Sequence, residues 1–212
     1  MVGKSGDNIR NRLLHVRAQI AAAAERCGRT PGEIHLVVVT KSKPLEIVQE
    51  VVEAGASILG ENYPEEALSK ISALSETGVE WHMIGHVQSR KAEKVVQYFS
   101  MLHSLDSVKL AERLNRYCIQ YDRKLAVLLE VNISGETGKF GFPAWDERRW
   151  FELEPIFLQI SAFPQLMVHG LMTMPPFFEE AEGSRPYFQK LHHLQRFLKE
   201  KVPQVDWYDL SM

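Results

Sequence analysis

Short apolar runs alternate along this chain with longer amphipathic stretches, and that alternation leaves few folds open to it. The runs at 34–40, 57–59, 80–84, 101–105, 125–132, 166–172 and 206–211 have the length and content of buried strands, and the first of them is expected to be buried on both faces. Between them, residues 44–53, 64–73, 107–121 and 185–201 carry helical patterns. So do Trp150, Leu153, Ile156, Phe157 and Ile160 inside the segment 143–164. Strand and helix in pairs of roughly thirty residues are the βα units of a parallel sheet. Such units close into a (β/α)8 barrel or open into a doubly wound sheet, and periodicity alone does not choose between them. A further amphipathic helix is predicted over 7–27, stopped by Gly28. Pro44 and Pro64 are expected just inside helix starts, where a missing N–H costs nothing. No linker, repeat or low-complexity tract interrupts the pattern, so a single domain over 1–212 is expected.

The chain has 212 residues, enough to enclose one substantial core. Its 25 Lys and Arg against 27 Asp and Glu give a formal net charge of −2. That balance lacks the basic excess needed by a phosphate backbone or an anionic membrane surface, so neither nucleic acid nor membrane is an expected partner. No stretch reaches the ~20 apolar residues of a spanning helix. Met1-Val2-Gly3-Lys4-Ser5-Gly6-Asp7 lacks the apolar segment of a signal peptide, and a cytoplasmic protein is expected. Cys27 and Cys118 stand far apart with no C-x-x-C spacing and read as buried or idle thiols.

In either architecture ligands bind at the carboxyl ends of the strands. That singles out Thr40-Lys41, Gly60-Glu61-Asn62, Gly85-His86, Asp106, Asn132 and Ser211. Lys41 follows the most apolar run, where a desolvated lysine yields the neutral amine that attacks carbonyls. A lysine snorkelling from the rim fits the same pattern, and Lys43 competes for the role. Asn62 can cap the helix that follows or offer its amide to a ligand. His82 and His86 are four apart, a metal-binding spacing on a helix, but their segment reads as a strand and no third ligand accompanies them. No metal is expected. The run from Gly135 to Gly141 lacks Walker spacing and reads as a mobile βα connection carrying Lys139.

Several of these segments together resemble the pyridoxal phosphate (PLP) homeostasis proteins of the YggS/PROSC group. The matching text is Val38-Val39-Thr40-Lys41-Ser42-Lys43-Pro44, Gly60-Glu61-Asn62 and Trp81-His82-Met83-Ile84-Gly85-His86-Val87-Gln88-Ser89-Arg90-Lys91. His103-Ser104-Leu105-Asp106, Val131-Asn132, Lys139 with Gly141, Gly170-Leu171-Met172 and Leu210-Ser211-Met212 follow in the family's order. The resemblance implies a (β/α)8 TIM-type barrel like the amino-terminal domain of alanine racemase, with PLP at its mouth as a Schiff base on Lys41. Asn62, His82 and Met172 match positions lining the cofactor, and Ser211 begins the segment that cradles its phosphate.

The sequence ends at Met212, before the family's last βα unit and its R-I-G segment, so the expected fold is that barrel with an extra amino-terminal helix and without its last unit. The expected function is a PLP carrier or buffer in intracellular PLP homeostasis, without substantial catalysis and as a monomer. PLP-dependent apoenzymes are its candidate exchange partners, and Lys139 is a candidate second PLP contact. The alternatives are a PLP-dependent amino-acid racemase or related enzyme, a cofactor-free lysine aldolase barrel, and a regulatory partner-binding barrel.

Overall fold

The computed structural model of the chain describes residues 5–212, so Met1-Val2-Gly3-Lys4, read above for a leader, lie outside it. Two compact units divide the chain, Met1–His82 and Met83–Met212.

The first unit opens with helix α1 (Ser5–Arg26), which buries Leu13 and Ala24. The Arg17 guanidinium reaches from it to the Gly55 carbonyl at 2.6 Å. Strand β1 (Val38–Val39), helix α2 (Leu45–Glu53), strand β2 (Ile58–Glu61), helix α3 (Pro64–Ala73) and strand β3 (Glu80–Met83) then follow, and the last residue of β3 begins the second unit. β1 and β2 run parallel, with Val38 opposite Leu59 and Val39 opposite Gly60. The Glu80 N–H donates to the Ser57 carbonyl at 2.9 Å. Pro64 takes the first helical position as its missing N–H allows. Pro44 sits one place earlier than expected, as the cap of α2, its carbonyl accepting from the Val48 N–H at 3.3 Å.

The run at 34–40 does not form the fully buried strand expected of it. Only Val38 and Val39 enter the ladder, and Val39 is 47% exposed. β-Branched residues favour extended backbone, but a ladder needs neighbouring strands, and among the described residues β1 pairs with β2 alone.

The second unit contains helix α4 (Ala92–Tyr98), strand β4 (Met101–Leu105), helix α5 (Val108–Gln120), strand β5 (Leu125–Asn132), the two-residue strand β6 (Phe142–Pro143), helix α6 (Leu153–Ser161), strand β7 (Leu166–Met172), helix α7 (Arg185–Lys201) and strand β8 (Asp209–Ser211). β4, β5 and β7 keep their predicted bounds. α4 and β6 had no signal strong enough to be read from sequence, because one has seven residues and the other two. α5 is capped by Ser107, whose hydroxyl accepts from the Leu110 N–H at 3.3 Å. β5 is the hub, pairing in parallel with β4, β6 and β7, and β7 pairs with β8. Leu102, Leu105, Val127, Leu129, Phe157 and Leu194 have no exposed surface. Each contributes about 1.5–3 kcal/mol by burial.

This sheet is strongly curved. β4 and β8 lie three places apart, about 14 Å in a flat sheet. Yet His103 Nδ1 on β4 is 2.8 Å from Ser211 Oγ on β8. Only a concave face brings them together. At the crossing of β7 and β8 the backbones meet without room for a side chain, since a Cβ on Gly170 would stand 1.9 Å from the Asp209 carbonyl oxygen. Gly170→Ala is therefore expected to cost about 3 kcal/mol through overpacking. Thermal unfolding should read this as a fall of roughly 6–12 °C; an unchanged midpoint would show that the crossing can open at little cost.

Candidate functional site

In the first unit the carboxyl ends of β1 and β2 are tied by a buried charge network. Thr40 follows β1, donates its N–H to the Gly60 carbonyl at 3.0 Å and its hydroxyl to Glu61 Oε1 at 2.7 Å. Glu61 has no exposed surface. Lys70, on the buried side of α3, donates from Nζ to the same Glu61 oxygen at 2.7 Å and to the Thr40 carbonyl at 2.9 Å. That carbonyl also accepts the Lys43 N–H at 3.1 Å, which closes a tight turn through Lys41 and Ser42. Ser42 stands at φ 56°, in the left-handed region. A non-glycine residue pays about 1–3 kcal/mol there, so the surroundings must hold the turn.

Lys41 occupies the exposed tip of this turn and makes no ion pair among the described residues. Asn62 comes directly after Glu61 and is half-buried. It does not cap α3: Tyr63 holds that position, with no side-chain cap. His82 is buried, with Nε2 3.6 Å from Glu80 Oε2. The turn thus carries Lys41, and the residue after the buried Glu61 is Asn62.

In the second unit the parallel register aligns Glu130 with Met172 and Met172 with Ser211, a single row across β5, β7 and β8. Met172 is buried and Ser211 is half-buried, its hydroxyl against His103. The Thr173 N–H donates to the Ser211 carbonyl at 3.1 Å, and the Thr173 hydroxyl to the Val131 carbonyl at 2.8 Å. Glu130 leaves Oε2 buried without a hydrogen-bond partner. Burial, and then the nearby negative charge of Asp106, push its carboxyl up to about 7. Asp106 in turn holds His86 Nδ1 at 2.9 Å.

The glycine-rich loop, expected from sequence as a mobile connection, makes several contacts in the structure. Asn132 donates from Nδ2 to the Glu136 carbonyl at 3.0 Å and accepts the Gly135 N–H at 2.9 Å. Phe140 stacks on the His86 ring at 3.6 Å with 9° between the planes. Lys139 donates to the Met174 carbonyl at 3.1 Å and pairs with Glu136. A Cβ on Gly141 would lie 2.8 Å from the Glu130 carbonyl oxygen, which explains a glycine at φ 100° beside β5.

The sequence pattern missed Lys70, Thr40 as a structural member, and Glu130. Lys70 could have been suspected as the one lysine on the inner face of its helix; nothing local marks Glu130. Among the described residues no three His, Cys, Asp or Glu gather as metal ligands, and no helix is long and apolar enough to cross a membrane. Cys118 is buried and its thiol is pushed up to about 11 by that burial, whereas Cys27 is exposed and not buried as one reading had it.

The βα units and the concave parallel sheet point to a class of protein, and sequence comparison defines it. The chain belongs to the family of the alanine racemase N-terminal domain, whose model matches residues 12–212. Its relatives in that family include the pyridoxal phosphate homeostasis proteins of Vibrio alginolyticus, 36% identical over 97% of this chain and 87% of that one, and of Escherichia coli, 36% identical over the same shares. Among solved structures, PipY of Synechococcus elongatus without PLP is 30% identical, covers 96% of this chain and 88% of its own, and superposes with a TM-score of 0.83. PipY with PLP bound gives 29% and 0.81 over the same shares. An alanine racemase of Clostridium difficile, 13% identical with a TM-score of 0.62 over 84% of this chain and 45% of its own, shares the fold. The α/β barrel class expected from the sequence is the one these proteins share.

Glu130 gives the site a measurable pH signature. Its carboxyl holds a proton more tightly folded than unfolded, about 7 against an ordinary 4.5. The stability it confers is complete below 4.5 and is lost as pH rises through 7, up to about 3 kcal/mol in all. Urea midpoints measured between pH 4.5 and 8 should fall for the native chain, and Glu130→Gln should flatten that slope; equal slopes would rule out Glu130 as the source.

Proposed function

We propose that this chain binds PLP and serves in PLP homeostasis as a carrier or buffer, with the Lys41 amine as the covalent anchor in a Schiff base. The observation that carries the reading is the match to PipY with PLP bound across 96% of the chain, joined to 36% identity with proteins named for PLP homeostasis. Each unit supplies a group suited to such a cofactor. Lys41 offers an amine uncommitted to any ion pair among the described residues, on a turn at the end of a strand. Ser211 offers a half-exposed hydroxyl already oriented by His103. When bound, the cofactor supplies an aldehyde carbon for the amine and a phosphate for hydroxyl and backbone donors. Asn62, His82 and Met172 are proposed to line it. We further propose that residues 1–212 act as one PLP-binding domain, in the cytoplasm, as a monomer that exchanges PLP with apoenzymes.

The carrier reading is preferred to catalysis because the relatives are named for homeostasis and not for a reaction. The likeness to alanine racemases, at 13% identity, is one of fold alone. Visible absorbance with added PLP, before and after borohydride, followed by peptide mapping, should place the reduced label on Lys41. Lys41→Ala should abolish the band. An unchanged band in that variant would remove Lys41 from the role, and turnover of any amino acid by the native chain would replace the carrier by a PLP-dependent racemase or related enzyme.

A further inference from the structure

We propose that Glu61 and Lys70, acting through Thr40, are positioning residues for the Lys41 amine: a buried ion pair that fixes the turn on which that amine is presented. The inference rests on the PLP-binding reading and deepens it.

The Thr40 carbonyl is one acceptor with two donors. The Lys43 N–H closes the turn upon it, and Lys70 Nζ holds it from beneath. The turn has Ser42 in the left-handed region at φ 56°, so its internal hydrogen bond works against a backbone cost. A tie from outside the turn stops it relaxing, and Lys41 sits at the second of its four positions. That tie is an ammonium only 6% exposed, held by a carboxylate with no exposed surface. The same Glu61 oxygen grips the Thr40 hydroxyl. One ion pair thus sets both the side chain and the carbonyl of the residue preceding Lys41, and its carboxylate belongs to the residue preceding Asn62.

Stability alone is a weak account of this arrangement. An apolar pair of similar volume commonly serves a core as well as a buried ion pair or better. Glu61 Oε2 moreover has no hydrogen-bond partner, which adds to the cost of burying it. What an apolar pair cannot do is hold a carbonyl and a hydroxyl in fixed directions. Carbonyl addition demands direction: the lysine nitrogen bonds to the aldehyde carbon, and its two protons leave with the aldehyde oxygen as water.

The test compares the native chain with the double variant Glu61→Met/Lys70→Met and with Thr40→Val and Thr40→Ser. Thermal midpoints, the rate at which the PLP band appears, and the mass-mapped position of the borohydride-reduced label are measured for each. The double variant, which leaves no lone buried charge, should keep its midpoint within a few degrees while forming the Lys41 adduct at least tenfold more slowly. Part of its label should move to Lys43. Thr40→Ser keeps the hydroxyl and should match the native rate, whereas Thr40→Val should be several-fold slower. A folded double variant that labels Lys41 at the native rate overturns the proposal. Should the double variant fail to fold, equal rates for Thr40→Val and Thr40→Ser overturn it. A native chain that forms no Lys41 adduct overturns the PLP reading itself, and the inference with it.

Discussion

A carboxylate with no exposed surface has to be neutralised where it stands, and Glu61 imposes that demand at the end of β2. The cation that meets it comes from α3, so the helix is set in rotation about its own axis: Lys70 must face inward and the acidic first turn, Glu65 and Glu66, faces outward at the end where negative charge is favoured. The hydroxyl and carbonyl of Thr40 complete the coordination, which ties the end of β1 to the same point. Two short strands with little ladder between them are therefore held by a polar knot at their carboxyl ends, where a barrel-type fold places its chemistry.

The second unit solves the corresponding problem with backbone pairing. β5 has partners in three strands, and the register across β7 and β8 decides which side chains share a face. Since the side-chain period of a strand is two, a slip of one residue would turn Ser211 away from His103 and Met172 out of the row. Gly170 allows β8 to approach closely, and Trp207 and Gln195 hold the chain leading into it: the indole N–H donates to the Val202 carbonyl, and the Gln195 amide to the carbonyls of Trp207 and Tyr208.

Much of the fold was legible because its signals are local. β4, β5 and β7, and helices α3 and α7, announce themselves by periodicity within a single stretch, and their bounds agree with the structure. β1 was over-read because a β-branched run reports extended backbone without reporting how many partners it will find. The site was legible only in part. Lys41, Asn62 and Ser211 stand out at strand ends, and the cofactor role of Asn62, His82, Met172 and Ser211 came from the resemblance. The Glu61–Lys70 pair is silent in sequence, since a buried salt bridge looks like any Glu and Lys until a helix and a strand bring them together. The alignment of Glu130 with Met172 and Ser211 depends on the register of three strands far apart in the chain, which no local pattern encodes.

Trp145 lies against the glycine-rich loop, so close that a Cβ on Gly135 would meet its ring at 3.0 Å, and it is 44% exposed. The other tryptophans, Trp81, Trp150 and Trp207, are sealed within the protein. Emission that a dissolved quencher can reach therefore originates mainly from one indole beside one loop. The molecule carries its own optical gauge of that loop, readable without attaching any dye.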